Sequence, residues 1–288
     1  MYELSQYAFV AAMAALALAV FLYLVNVLGA RSLRSLGLTD GGSISTSPVG
    51  PFVDTAGRYG TILVVNAFVF LTASLVFRAI ASGHGPFSNM YEFSLAFAWG
   101  AIGLYLYFEL QYRLRTLALL VLPVALGLLA YATTVPSDIT PLVPALQNNL
   151  LLTVHVAVAI IAYGAFALAF GAAVLYLVQR RDSIRWLPRK AMLDEIGYRS
   201  VMVGFPMMAL VIILGALWAN IAWGSYWSWD PKETASLVTW LIYGGYLHAR
   251  VLRGWRGERS ALLLIIGFGA TLFTYYGNLF FGGLHGYA

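Results

Sequence analysis

Long apolar runs separated by short polar stretches fill the chain. Eight of them approach or exceed the roughly 20 residues a helix needs to cross a bilayer: 7–28, 59–80, 93–110, 117–134, 150–178, 201–218, 235–252 and 261–280. The pattern predicts an all-α integral membrane protein, a single multi-pass domain over 1–288 with about eight transmembrane helices. The first run has no basic segment before it and carries its arginines behind it, so it reads as a retained anchor and not as a cleaved signal peptide. The least apolar stretch, 35–57, is rich in Gly, Ser, Thr and Pro and predicts a flexible loop. There is no short-period repeat and no low-complexity tract. No soluble domain of any size fits between the spans, which places the chemistry in the membrane or at its face.

Composition supports this reading and removes others. Hydrophobic residues make up 61% of the 288 and charged residues 10%, with a mean hydropathy of +0.79; soluble domains carry about 25% charged residues. A water-soluble globule and a disordered chain are excluded. The net charge of +5 and pI near 9.4 would suit a nucleic-acid binder, but the placement of the charges opposes it. Of 17 basic residues, 15 fall in or beside the segments 29–58, 111–116, 179–200 and 253–260, and only Arg78 and Lys232 fall on the other side. The positive-inside rule turns that asymmetry into a topology, with both termini external and the arginine-rich loops cytoplasmic. No nucleic-acid partner is expected; the lipid bilayer is the partner that the charge describes. Cysteine is absent, so the chain supplies no disulfide, thiolate metal site or thiol chemistry.

The topology sorts the four histidines. His84 lies in the short outer loop 81–92, His155 about five residues into the fifth span from its outer end, and His285 just beyond the outer end of the eighth span. His248 lies 14 residues past Thr234, about 21 Å inward at 1.5 Å per residue. Ionisable residues within spans usually mark a pathway or a ligand site, although a lone histidine also serves as a helix–helix hydrogen bond. Trp240, Gly244 and His248 recur at intervals of four, and the glycine predicts room for something flat and wide beside the histidine. The strongest local signal is the segment 218–233, expected as an external loop between the sixth and seventh helices. It holds Trp218, Trp223, Trp227 and Trp229. An interfacial aromatic belt explains one or two tryptophans at a helix end; four, interleaved with Gly, Ser and Asp, form a flat apolar platform with indole N–H donors at its rim. Asp230 and Pro231 predict the start of the seventh helix, as cap and first residue. A macrocycle with anionic side groups suits such a platform, and iron porphyrin takes an axial imidazole on each face. His155 and His285, on one side of the membrane and flanking the aromatic segment, are candidate ligands.

The run from Trp223 through Gly224, Tyr226, Trp227, Trp229, Asp230, Pro231 and Lys232 to Glu233 resembles the tryptophan-rich "WWD" signature of the haem-handling proteins of cytochrome c biogenesis, and within them the CcsA (ResC) family of the system II cytochrome c synthase. The segments around His84 and Glu92, around His155, from Tyr246 to Arg250 and from Asn278 to Tyr287 resemble further pieces of that family, so the likeness covers about 80–288. The resemblance implies that His155 and His285 are axial ligands of an external haem b, and that Trp223, Trp227, Trp229 and Asp230 belong to its binding loop. It implies that His248 holds haem on its way through the membrane. His84, Glu92, Trp218 and Tyr226 are further candidates. It also implies a CcsB/ResB membrane partner, apocytochrome c as acceptor through its Cys-x-x-Cys-His motif, and a place in a bacterial cytoplasmic membrane or a thylakoid membrane with the active face external. The alternatives are a haem exporter or chaperone without ligation activity and a b-type electron-transfer subunit. Against the latter, His248 has no histidine at its own depth. The thiol-reducing arm of cytochrome c maturation is excluded by the missing cysteines.

Overall fold

The computed structural model describes residues 1–35, 50–112, 115–139, 149–179, 181–184, 187–276 and 281–284. Among these lie eight α-helices and no strand: α1 (Tyr2–Ser35), α2 (Gly50–Ser82), α3 (Met90–Tyr112), α4 (Ala118–Ala132), α5 (Asn149–Val178), α6 (Lys190–Trp223), α7 (Pro231–Arg253) and α8 (Glu258–Tyr276). Seven are long and apolar enough to cross a membrane; α7 is the exception. Its 23 residues include Lys232, Glu233, His248, Arg250 and Arg253 together with Thr, Ser and Gly, which dilute the apolar pattern without shortening the helix. The helices outrun the apolar windows at most ends, because polar helix-formers continue the backbone ladder past the lipid-like stretch. Thus α2 starts at Gly50, inside the stretch read as loop from 35 to 57, of which 36–49 lies outside the described residues.

Contacts between helix ends fix an alternating up-and-down order. At one end, Ser5 Oγ donates to Ser74 O (3.0 Å) and Arg78 Nη2 donates to Asp138 O (3.3 Å). Towards the same end the hydroxyls of Ser94 and Tyr275 meet at 2.9 Å. At the other end, Arg250 grips Asp194 through two N–H···O bonds of 2.9 and 2.7 Å, and Arg199 Nη1 donates to Tyr112 OH (3.1 Å). The start of α1 therefore shares an end with the α2–α3 and α6–α7 connections.

The helix α5 is the hub, packed against α3, α6 and α8. Glycines make that possible, since small residues let helix backbones approach closely. A Cβ added to Gly100 of α3 would overlap Ile160 Cγ2 and lie 3.1 Å from Ile160 O; one added to Gly164 of α5 would lie 2.6 Å from Leu104 Cδ1 and 3.1 Å from Gly100 O. Gly100→Val is expected to lower the thermal midpoint of the detergent-solubilised chain, at about 1–3 kcal/mol for overpacking. Gly127→Val, at a position where nothing lies within 4 Å of an added Cβ, is the matched control. Equal melting of the two variants would show that α3 and α5 are not in close contact.

At the first end sits a buried ion pair. Arg78 Nε donates to Glu92 Oε1 at 2.6 Å, with side-chain exposures of 0% and 1%. Glu92 Oε2 accepts from the backbone N–H and the hydroxyl of Ser88, both at 2.7 Å, and Asn89 Oδ1 accepts from Glu92 N (3.0 Å), closing the first turn of α3. The Arg78 guanidinium lies 4.8 Å from the centre of the Tyr91 ring. This knot fixes the start of α3, and α3 forms one wall of the site described next.

Candidate functional site

A cavity opens near the first end between α3, α5, α6, α7 and α8. His155, Trp218, Trp227 and Lys232 line it, over an aromatic wall of Phe93, Phe97, Tyr163 and Tyr275. The wall is ordered by ring contacts: Phe97 stacks on Tyr163 at 5.0 Å and meets Tyr275 edge-on at 5.2 Å. His155 projects from the second turn of α5. Gly215 of α6 faces its ring, and a Cβ there would lie 3.1 Å from His155 Cε1, so the glycine leaves the imidazole its space. Trp218 is buried on α6 and packs edge-on against Trp223 at 4.9 Å.

The tryptophan segment is only partly a loop. Trp218 and Trp223 belong to α6, which ends at Gly224 in the left-handed conformation (φ 74°), with its N–H donating to Asn220 O. The connection to α7 is short and tied. Ser225 Oγ donates to Trp227 O (3.0 Å), and the N–H groups of Ser228 and Asp230 donate to Glu233 Oε2 at 2.8 and 3.2 Å. Asp230 Oδ1 in turn accepts from Lys232 N (2.9 Å), so Asp230 and Glu233 form a capping box with Pro231 as the first helical residue. The cap anticipated from the sequence is present. The other carboxylate oxygen, Asp230 Oδ2, accepts from Leu284 N at 2.7 Å and so ties segment 281–284 to the base of the tryptophan loop. Gly283 fits there because a Cβ would overlap Asp230 Oδ2 and lie 3.0 Å from Pro231 Cδ.

The cavity thus brings together His155, Trp218 and Trp227, with Asp230 adjacent through its cap. Among the described residues it does not gather Trp229, Tyr226, His84, Glu92 or His248. Trp229 is 68% exposed and holds a positive φ of 59°, and it touches Trp227 edge-on at 5.6 Å; Tyr226 is also exposed. His84 sits in the α2–α3 connection, its Nδ1 2.8 Å from Gly85 O, and Glu92 is committed to Arg78 and Ser88. His285 lies outside the described residues.

His248 is exposed near the far end of α7, in a groove with Ile242, Gly245, Ala249, Arg253, Trp255, Leu263 and Ile266. The space beside it belongs to Gly245, where an added Cβ meets nothing within 4 Å. The Gly244 side is filled by Phe205, 3.2 Å from an added Cβ and stacked on Trp240 at 5.0 Å. Positions four apart drift by about 40° on a helix of 3.6 residues per turn, so over two steps Trp240 and His248 part company. The fourfold spacing singles out Gly244, whereas the open space beside His248 lies at Gly245.

Lys232 does not stand out in the sequence as a site residue. It lies in the first turn of α7, ahead of the apolar span that begins near 235, and its ammonium stands 5.9 Å from the centre of the Phe93 ring. Burial pushes its pKa down to about 8, against the pull of the Asp230 carboxylate. A lone lysine beside Asp-Pro reads as helix-start charge, and only the fold places it against an aromatic cavity.

Comparison with known proteins gives a consistent result. A family model described as "Cytochrome C assembly protein" matches residues 87–285. The chain is 37% identical over 257 residues to the cytochrome c biogenesis protein CcsA of Guillardia theta, covering 80% of this chain and 84% of that one. It is 35% identical over 282 residues to the CcsA of Synechococcus elongatus, covering 79% and 86%. A solved structure, cytochrome c heme lyase CcmF, superposes with a TM-score of 0.68 at 19% identity; the match covers 96% of this chain and 46% of CcmF, so the chain spans about half that protein's length and shares its fold there.

Proposed function

The chain belongs to the cytochrome c assembly family, in its CcsA branch, and is a multi-span membrane protein of cytochrome c biogenesis; from that premise we propose that it carries haem b to the external face of its membrane and presents it to apocytochrome c. The observation that carries the reading is the convergence of His155, Trp218 and Trp227 on one aromatic cavity. His155 is the proposed ligand on one face of the iron. His285, next in the chain to the Leu284 that Asp230 tethers, is the proposed ligand on the other. Trp227 and Trp218 cover the ring, and Trp223 supports Trp218 from behind.

The chemistry is addition of each apocytochrome thiol S–H across a haem vinyl group, which forms a thioether with no net oxidation. This chain contributes position and exclusion of water. A CcsB/ResB-type subunit is the proposed partner. His248 is the proposed inner stop: its groove faces outward between α7 and α8 and offers one histidine, so the second axial ligand there comes from the partner. The membrane is a bacterial cytoplasmic or thylakoid membrane, with the cavity on the external side.

The test replaces His155 and His285 separately by glycine in the full chain with its partner. Each variant is expected to lose the six-coordinate, low-spin haem spectrum and cytochrome c assembly, and added imidazole is expected to restore both. Unchanged spectra in the variants would refute the assignment. A haem exporter without ligation activity would give the spectra but no assembled cytochrome c.

A further inference from the structure

Two polar groups in the cavity lining are left over once their neighbours are satisfied. The carboxylates nearest Lys232 in sequence are committed to backbone. Asp230 accepts from Lys232 N and Leu284 N, and Glu233 Oε2 accepts from the N–H groups of Ser228 and Asp230 and from the Ser228 hydroxyl. Among the described residues the Lys232 ammonium forms no ion pair, and it stands over the face of Phe93. The indole Nε1 of Trp227 is buried and has no hydrogen-bond partner among the described residues. The hydroxyls around them are occupied: Ser236 Oγ donates to Glu233 O, Thr274 Oγ1 donates to Ala270 O, and Tyr275 OH pairs with Ser94 Oγ. A partly desolvated ammonium and a buried indole N–H are costly when unpaired. A carboxylate brought by a ligand is the chemical group that pairs with an ammonium and with an indole N–H, and both line the same cavity.

We propose that this wall of the cavity is a carboxylate subsite, in which the Lys232 ammonium and the Trp227 indole N–H receive a propionate of the haem; the proposal rests on the haem reading above. With iron held at His155 and a propionate at Lys232, a flat ligand is fixed at two points and enters in one orientation, which sets which ring edge faces the incoming thiols. The headgroup of an anionic lipid offers the same charge, and the experiment separates the two sources.

The full chain with its partner, in neutral detergent, is titrated with haem and with haem dimethyl ester, whose propionates carry no charge. The wild-type protein is expected to prefer haem by about ten- to hundredfold, the range of a hydrogen bond to a charged group. Lys232→Met is expected to abolish that preference while leaving the ester's affinity unchanged, which also reports that the variant is folded; Lys232→Arg is expected to keep it. Vesicles containing phosphatidylglycerol are expected to leave haem affinity unchanged. Equal affinity of the wild type for both porphyrins, equal loss of both in Lys232→Met, or competition by the anionic vesicles would overturn the subsite. An unchanged haem spectrum in His155→Gly would instead overturn the haem reading beneath it.

Discussion

Gly283→Ala, at a residue with no proposed contact to haem, is expected to reproduce the spectrum of a variant lacking a ligand. The alanine methyl would collide with Asp230 Oδ2 and crowd Pro231, which breaks the 2.7 Å bond from Leu284 N. In the proposed function, the residue after Leu284 is the second axial ligand, so losing this tether removes the ligand's support without removing the ligand. Supporting contacts of this kind are worth about ten- to hundredfold in affinity for the bound centre. Asp230→Asn is the companion variant. Asparagine caps a helix about as well as aspartate, so α7 is retained, while its amide NH₂ turns a donor towards the Leu284 N–H. Both variants are expected to bind haem less tightly, shift towards the five-coordinate spectrum and recover with imidazole, as His285→Gly does. If His285→Gly loses the low-spin spectrum and these two keep it, the tether does not position the ligand.

Arg78→Met is expected to cost about 3–5 kcal/mol, the penalty for stranding one member of a buried ion pair. Glu92 would keep its Ser88 bonds but lose the 2.6 Å bond that balances its charge, in surroundings that leave it 1% exposed. Against a typical total of about 5–15 kcal/mol that is a large fraction, and it is expected as a lower thermal midpoint and reduced accumulation in membranes. The double variant Arg78→Met/Glu92→Met is expected to recover much of the loss, because replacing both partners of a buried pair with apolar side chains is often near neutral. Melting of the single variant with the wild type, or a double variant less stable than the single, would show that the pair does not hold the start of α3.

The helices are legible in the sequence because lipid imposes a simple rule, about 20 apolar residues for each crossing. Their true ends are not, since Lys190 or Gly50 continues a helix on backbone bonds that hydropathy does not register. The cap at Asp230 and Pro231 is legible because capping is local chemistry. The bond from Leu284 to the same carboxylate is not, because Leu284 is 54 positions away. Arg78 and Glu92 illustrate the same limit. In sequence they are a lone basic residue and a candidate site residue, and in the fold they answer each other. His155 and Trp227 are legible as candidates from residue type, and the fold sets both on one cavity; the places of Lys232 and Gly215 beside it need the packing of α3, α6 and α7 around α5.

A single helix, α7, carries Lys232 at its start and His248 near its end. Sixteen residues of continuous helix hold these two positions about 24 Å apart. No rearrangement of neighbouring helices brings them together while α7 stays wound. A cargo that visits both is therefore released from one before it is held at the other, so transit between them is a step separate from binding at either.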